Sequence, residues 1–168
     1  MTERSPAPGG LALVEALVNT LDIESGADAL DTAEGRARFG ITPQEADRAR
    51  ELRESLRAVL LAHAGHPPHR AVTPLGELLA TAPLVVTVDP ATGSAALAPA
   101  DSRSLPARVA AAVAESLVTG AWSRLKACEA ADCHWAYYDR SPAGRGRWCS
   151  MQVCGARAKM RRYRAKEG

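Results

Sequence analysis

With 168 residues, 46% of them apolar, the chain can bury one ordinary core, but one Phe, three Trp and three Tyr mean that core is mainly Ala, Leu and Val, a composition that leans helical. No segment approaches the roughly 20 apolar residues that span a bilayer, and MTERSPAPGG lacks the basic start and apolar run of a secretory signal, so a soluble, cytoplasmic protein with no membrane partner is expected. The net charge of +2 is unevenly spread: residues 1–127 carry 12 Lys and Arg against 15 Asp and Glu, and residues 128–168 carry 9 against 4, so a mildly acidic body precedes a tail suited to a polyanion.

After the polar leader, Leu13, Val14, Leu17, Val18 and Leu21 recur at helical spacing and predict a first helix ending near Asp22. Residues 23–41 are Gly- and acid-rich without a sustained period and read as loop with at most one short helical turn. Thr42-Pro43-Gln44-Glu45 is a start signal, with a cap, Pro at the first helical position and Glu three after the cap. The helix it opens runs to Gly65, about 33 Å at 1.5 Å per residue. Its buried stripe is Ala46, Ala49, Leu52, Leu56, Val59 and Leu60, with Arg48, Arg50, Glu51, Arg53, Glu54 and Arg57 on the remaining surface.

HAGHPPHRAVTP is a proline-broken connector, LGELLA a short helix, and LVVTV with AALAP across the turn DPATGS a β-hairpin. A last body helix starts near Pro106, capped by Ser104, runs through Val109, Val113, Leu117 and Val118, and has room to continue past Gly120 to Trp122 and Leu125. The expected fold class is α+β and mostly helical: a helical domain with a small hairpin over residues 1–125, then a four-cysteine finger with a knuckle and a basic helix over 126–168.

Cys128, Cys133, Cys149 and Cys154 form C-x4-C-x15-C-x4-C, two close pairs separated by a short loop, which is the arrangement a tetrahedral Zn²⁺ site needs. One structural zinc is the leading reading. Two disulfides and a redox or catalytic thiol compete with it; a reducing cytosol weighs against the first and the lack of C-x-x-C against the second. His134 could replace one thiolate on the metal. Four thiolates on Zn²⁺ leave a charge of about −2 that neighbouring amides and cations offset, and Arg145 and Arg147 are candidates for that task or for nucleic acid.

From Ser150, a candidate N-cap, the sequence turns helical again. A wheel puts Val153, Ala156, Met160 and Tyr163 on a packing face, Arg157, Arg161 and Arg164 on one basic stripe, and Lys159, Arg162 and Lys166 on another. Six cations in ten residues exceed what a helix dipole calls for, although a merely solvated face is the alternative.

The segment from Trp122 to Lys166 resembles the CGNR zinc finger, through Cys128, Cys133, Tyr137, Asp139, Ser141, Trp148, Cys149, Ser150, Met151, Cys154, Gly155 and Arg157. Upstream, LALVEALVNTLD and LVVTV with its turn resemble the ABATE domain that usually precedes this finger. The resemblance implies a mostly helical α+β body, zinc on the four cysteines, and a stress-responsive bacterial transcription regulator. Two departures stand out: Ala156 replaces the Asn of the name-giving motif, and Gly146-Arg147 stands where two arginines are usual.

The expected function is therefore zinc-dependent DNA binding, with Arg157, Arg161 and Arg164 at the groove or phosphates and Arg145, Arg147, Lys159, Arg162 and Lys166 on the backbone. The body would dimerise or sense a small-molecule effector. A protein-interaction or RNA-associated zinc module without a specific DNA target is the competing reading. No enzyme is expected: His63, His66 and His69 at spacings of three suggest a second metal site, but Pro67 and Pro68 break the helix that would align them, and they read as a solvated loop. Asn19, Thr20 and Asp22 are candidates for a ligand pocket, or simply the capping residues of a helix end.

Overall fold

The computed structural model describes residues 5–167; the start of the leader, residues 1–4, and Gly168 lie outside it. Helix α1, Leu11–Val18, buries Leu11, Val14, Leu17 and Val18. It stops short of Asp22 because the Thr20 hydroxyl turns back to the Leu17 carbonyl at 2.8 Å and Leu21 pairs with Asp28 in an isolated bridge. The stretch expected as loop holds a 3-10 turn, Ala29–Asp31, and helix α2, Ala33–Ala37, each started by a polar cap, Asp28 and Thr32. Such caps act without any apolar period. Leu30 and Phe39 from this stretch are buried in the core.

The capping box at Thr42 and Glu45 is present and opens a 3-10 turn, Pro43–Glu45, that runs into helix α3, Ala46–His63. Its 18 residues extend about 27 Å. The expected stripe is buried apart from half-buried Val59, but Arg53, Glu54 and Arg57, assigned to solvent by the helical wheel, are buried as well. The reason is that α3 is covered by α1, by the later strand β3, Leu125–Ala127, and by helix α4, Leu75–Leu79.

Strands β1, Leu84–Val88, and β2, Ala95–Pro99, form the expected hairpin, in register from Leu84 opposite Pro99 to Val88 opposite Ala95. Helix α5, Leu105–Val118, is capped by the Ser104 hydroxyl, which accepts from the Ala107 amide at 3.3 Å. It does not continue to Leu125: Gly120 takes φ +71°, a left-handed stop that glycine adopts at little cost, and Trp122–Arg124 is a separate 3-10 turn. Strands β3, Leu125–Ala127, and β4, Ala136–Tyr138, make a second antiparallel pair, and after a π-type turn at Met151–Gly155 helix α6, Ala156–Glu167, closes the chain.

The main core gathers α1, α3 and α5 with Leu30 and Phe39, and it takes in Leu125, Ala127 and Ala136. It therefore runs across the expected division at 125/126. A smaller cluster centres on Cys128, Ala130 and Cys154, with Cys133, Trp148 and Cys149 packed against it. No helix among the described residues is long and apolar enough to cross a membrane.

Candidate metal centre and basic helix

Antiparallel pairing of β3 with β4 brings the chain back on itself, and the Cys128 amide extends the ladder to the Trp135 carbonyl at 2.9 Å. Between them the knuckle turns on the amides of Cys133 and His134, both donated to the Ala130 carbonyl, with His134 at φ +46°. The second cysteine segment is drawn alongside by the Glu129 amide, which donates to the Arg147 carbonyl at 3.0 Å. Ser150 caps the turn that carries Cys154, accepting from the Val153 amide at 3.3 Å.

These turns place all four cysteine sulfurs within 4.8 Å of one another, with Cys133 to Cys149 at 3.6 Å and Cys149 to Cys154 at 3.7 Å. A tetrahedron with Zn–S bonds of about 2.3 Å requires sulfurs about 3.8 Å apart. The site fits Zn²⁺, and the thiols are free of disulfides. Four sulfurs this close cannot all ionise unaided. The thiols of Cys133 and Cys149 hydrogen-bond to Cys128 and hold its pKa down, while the same contacts push their own upward. A dication at the centre removes that conflict and favours four thiolates. His134 does not join the cluster; its Nδ1 lies 3.0 Å from the Cys128 carbonyl oxygen and braces the knuckle.

Asp139 organises the loop between the cysteine pairs. Its buried carboxylate accepts from Lys126 Nζ at 3.0 Å, the Ser141 amide at 3.0 Å and the Gly146 amide at 2.7 Å. Burial alone raises a carboxyl pKa, but these donors outweigh it and hold Asp139 well below the ordinary range. A Cβ at Gly146 would stand 3.0 Å from that carboxyl group, so the glycine found where an arginine is usual suits the close approach.

A buried cation also comes from the body. Arg57, 1% exposed, donates Nη2 to the Val18 carbonyl at 2.7 Å and sits 3.4 Å from Glu54, and Cys133 also favours its charge. Burial still depresses its pKa overall. Glu54 is held in turn by Arg53 at 2.7 Å and His69 Nε2 at 2.9 Å, and Arg53 reaches Asp28 at 2.7 Å. Buried ions persist only when paired in this way. The wheel hid this network because it treats charge as a marker of exposure.

The connector histidines are likewise not a solvated loop. His63 meets Trp122 edge-on at 5.1 Å and places Nδ1 2.8 Å from the Leu125 carbonyl oxygen; His66 lies 3.5 Å from Glu129; His69 binds Glu54. The prolines turn the connector back over the knuckle, and burial holds His63 and His69 below their ordinary pKa. Asn19, considered for a pocket, clamps the finger: its amide donates to the Ala136 carbonyl at 3.0 Å and its oxygen accepts from the Ala136 amide at 2.7 Å. Thr20 accepts from Arg53 at 3.1 Å, and exposed Asp22 accepts from the Glu24 and Ser25 amides.

On α6 and the turn before it the buried residues are Cys154, Gly155 and Ala158, and the packing face assigned to Val153, Ala156, Met160 and Tyr163 is exposed. The helix packs chiefly on the π-type turn before it, so most of its circumference meets water. The exposure of Ala156 means that the asparagine usual there would not cap a buried loop. Among the cations, Arg157 pairs with Glu24 at 3.2 Å, Arg161 with Asp132 at 3.7 Å, and Arg147 with Glu129 at 2.5 Å while lying over Trp148. Arg145, Lys159, Arg162, Arg164 and Lys166 are exposed and have no acidic partner among the described residues.

Two family models match the chain: one described as "Putative stress-induced transcription regulator" (ABATE) over residues 11–120, and one described as the CGNR zinc finger over residues 124–167. No curated protein matches it.

Proposed function

Because the chain belongs to the ABATE family of stress-induced transcription regulators and ends in a CGNR zinc finger, we propose that it is a zinc-dependent, DNA-binding regulator acting in the cytoplasm. The observation that carries this reading is α6: the zinc site anchors its first turn, and Lys159, Arg162, Arg164 and Lys166 project from it unpaired, with Arg145 on the loop before. These five are the phosphate contacts available without cost. Arg157, Arg161 and Arg147 contact DNA only by exchanging a carboxylate partner for a phosphate, so they read as conditional contacts. Zinc supplies no chemistry here beyond holding Cys128, Cys133, Cys149 and Cys154 together, and the reading includes no catalysis.

One finger with a short helix covers little DNA, so the body is assigned the task of joining two copies, with response to a small-molecule effector as a further role. The test is binding of zinc-loaded protein to a labelled duplex across a salt series. Five phosphate contacts give a slope of log affinity against log salt of about −4.5, lost on chelation. Binding absent at low salt would overturn the reading. One observation favours the alternative of a protein- or RNA-associated module: Val153, Met160 and Tyr163 lie exposed, at 49%, 53% and 61%, beside the cations. A partner retained at high salt would support it, because apolar contacts are not screened.

A further inference from the structure

An open, apolar cavity of about 730 Å³ lies between the β1–β2 hairpin and α5, with none of the cysteines in its lining. Val86 and Leu97, opposite each other in the hairpin, line one wall; Val118 lines the other. Val86, Val88, Leu97 and Val118 are 70%, 60%, 45% and 86% exposed. Together they leave on the order of 400 Å² of apolar surface in water, within the ~300–600 Å² range for the largest patch on a monomer. That is about half of the ~800 Å² each partner buries in a standard interface. The hairpin carries no charge on either strand, and β1 has neither the lysine nor the proline that usually protects a sheet edge.

The charges beside the cavity identify the occupant. On α5, Arg108, Ala111, Glu115 and Val118 follow a three-four spacing and all four line the cavity. Arg108 lines the cavity while donating Nη2 to the Phe39 carbonyl, and the Glu115 side chain has neither hydrogen bond nor ion pair among the described residues. A cation and an anion seven residues apart on one helical face, with a small alanine midway, are complementary to the same face turned end for end.

We infer that this face is the interface between two copies of the chain, packed about a twofold axis near Ala111 with α5 antiparallel to its counterpart. Arg108 of each copy then meets Glu115 of the other, and the valines and leucines of the two hairpins close the cavities. Such an isologous contact uses the same patch twice and forms a closed dimer. It deepens the regulator reading by giving the body its joining surface, but its test needs no DNA, so the two stand or fall separately.

Sedimentation of the zinc-loaded protein over a wide concentration range should show a reversible dimer. Val118→Asp and Glu115→Arg, both at exposed positions, should each raise the dissociation constant about tenfold or more while zinc content and helicity stay unchanged. Arg108→Glu combined with Glu115→Arg should restore association by reversing both charges. Should that double variant misfold through loss of the Phe39 contact, the two single variants still decide. A wild type that stays monomeric throughout, a Val118→Asp variant that dimerises normally, or a monomer whose cavity is filled and stabilised by a small apolar molecule would overturn the inference.

Discussion

The two hairpins share a topology and have opposite surroundings. In β3–β4, three residues per strand, Leu125, Ala127 and Ala136 belong to the main core and Asn19 binds the backbone of Ala136 from α1. In β1–β2, five residues per strand, Val86 and Val88 stay mostly in water. The shorter sheet is the firmer one. Pairing alone leaves a two-stranded sheet marginal, and burial on a helix scaffold decides whether it holds a metal knuckle in place or offers a surface.

Removing zinc should have the largest effect, because site formation supplies folding free energy of order 10 kcal/mol in small zinc modules. Chelation or Cys149→Ser should abolish the knuckle and, through β3 and β4, also lower the melting temperature of the body, read by circular dichroism and calorimetry. A body that melts unchanged without zinc would break the link between the second hairpin and the core. Next comes Arg57→Ala, which empties a buried site and removes the bond to the Val18 carbonyl while Arg53 and His69 still hold Glu54, and should cost about 2–4 kcal/mol in denaturant unfolding. Asn19→Ala removes both bonds to Ala136 and leaves buried backbone groups unpaired, for a loss of about 1–3 kcal/mol.

The pH response should be smaller. Asp139 has a folded pKa below its unfolded value of about 3.9, so its contribution is present above that value and falls away as the pH drops below it. Asp139→Asn should lose that contribution at neutral pH and flatten the acid limb of a stability profile. Smallest is Val86→Asp on the exposed hairpin, within about ±0.5 kcal/mol for the monomer, as for an ordinary surface site. Its effect should appear in self-association instead, which sharpens the contrast between the two sheets.

What was legible in the sequence is what local chemistry determines. The capping box at Thr42, the Ser104 cap, the DPATGS turn and the cysteine spacing each act within a few residues, and each is found where expected. What was not legible depends on segments distant in sequence. Arg53, Glu54 and Arg57 are buried because α1 with the residues after it, the connector with His69 and strand β3 all pack against α3. Asn19 finds its partner 117 residues away. On α6 the face expected to pack meets solvent because the helix packs chiefly on the turn that precedes it, with Ala158 its buried residue.

The placement of Leu125, Ala127 and Ala136 in the main core also bears on how the chain is made. A ribosome releases the chain from its amino end, so α1, α3 and α5 emerge with a hole in their shared interior that only the last quarter of the chain fills. Closure of the interior and assembly of the cysteine cluster therefore belong to one late event. Nascent chains that stall before it leave in water the apolar surface that Leu125, Ala127 and Ala136 otherwise cover.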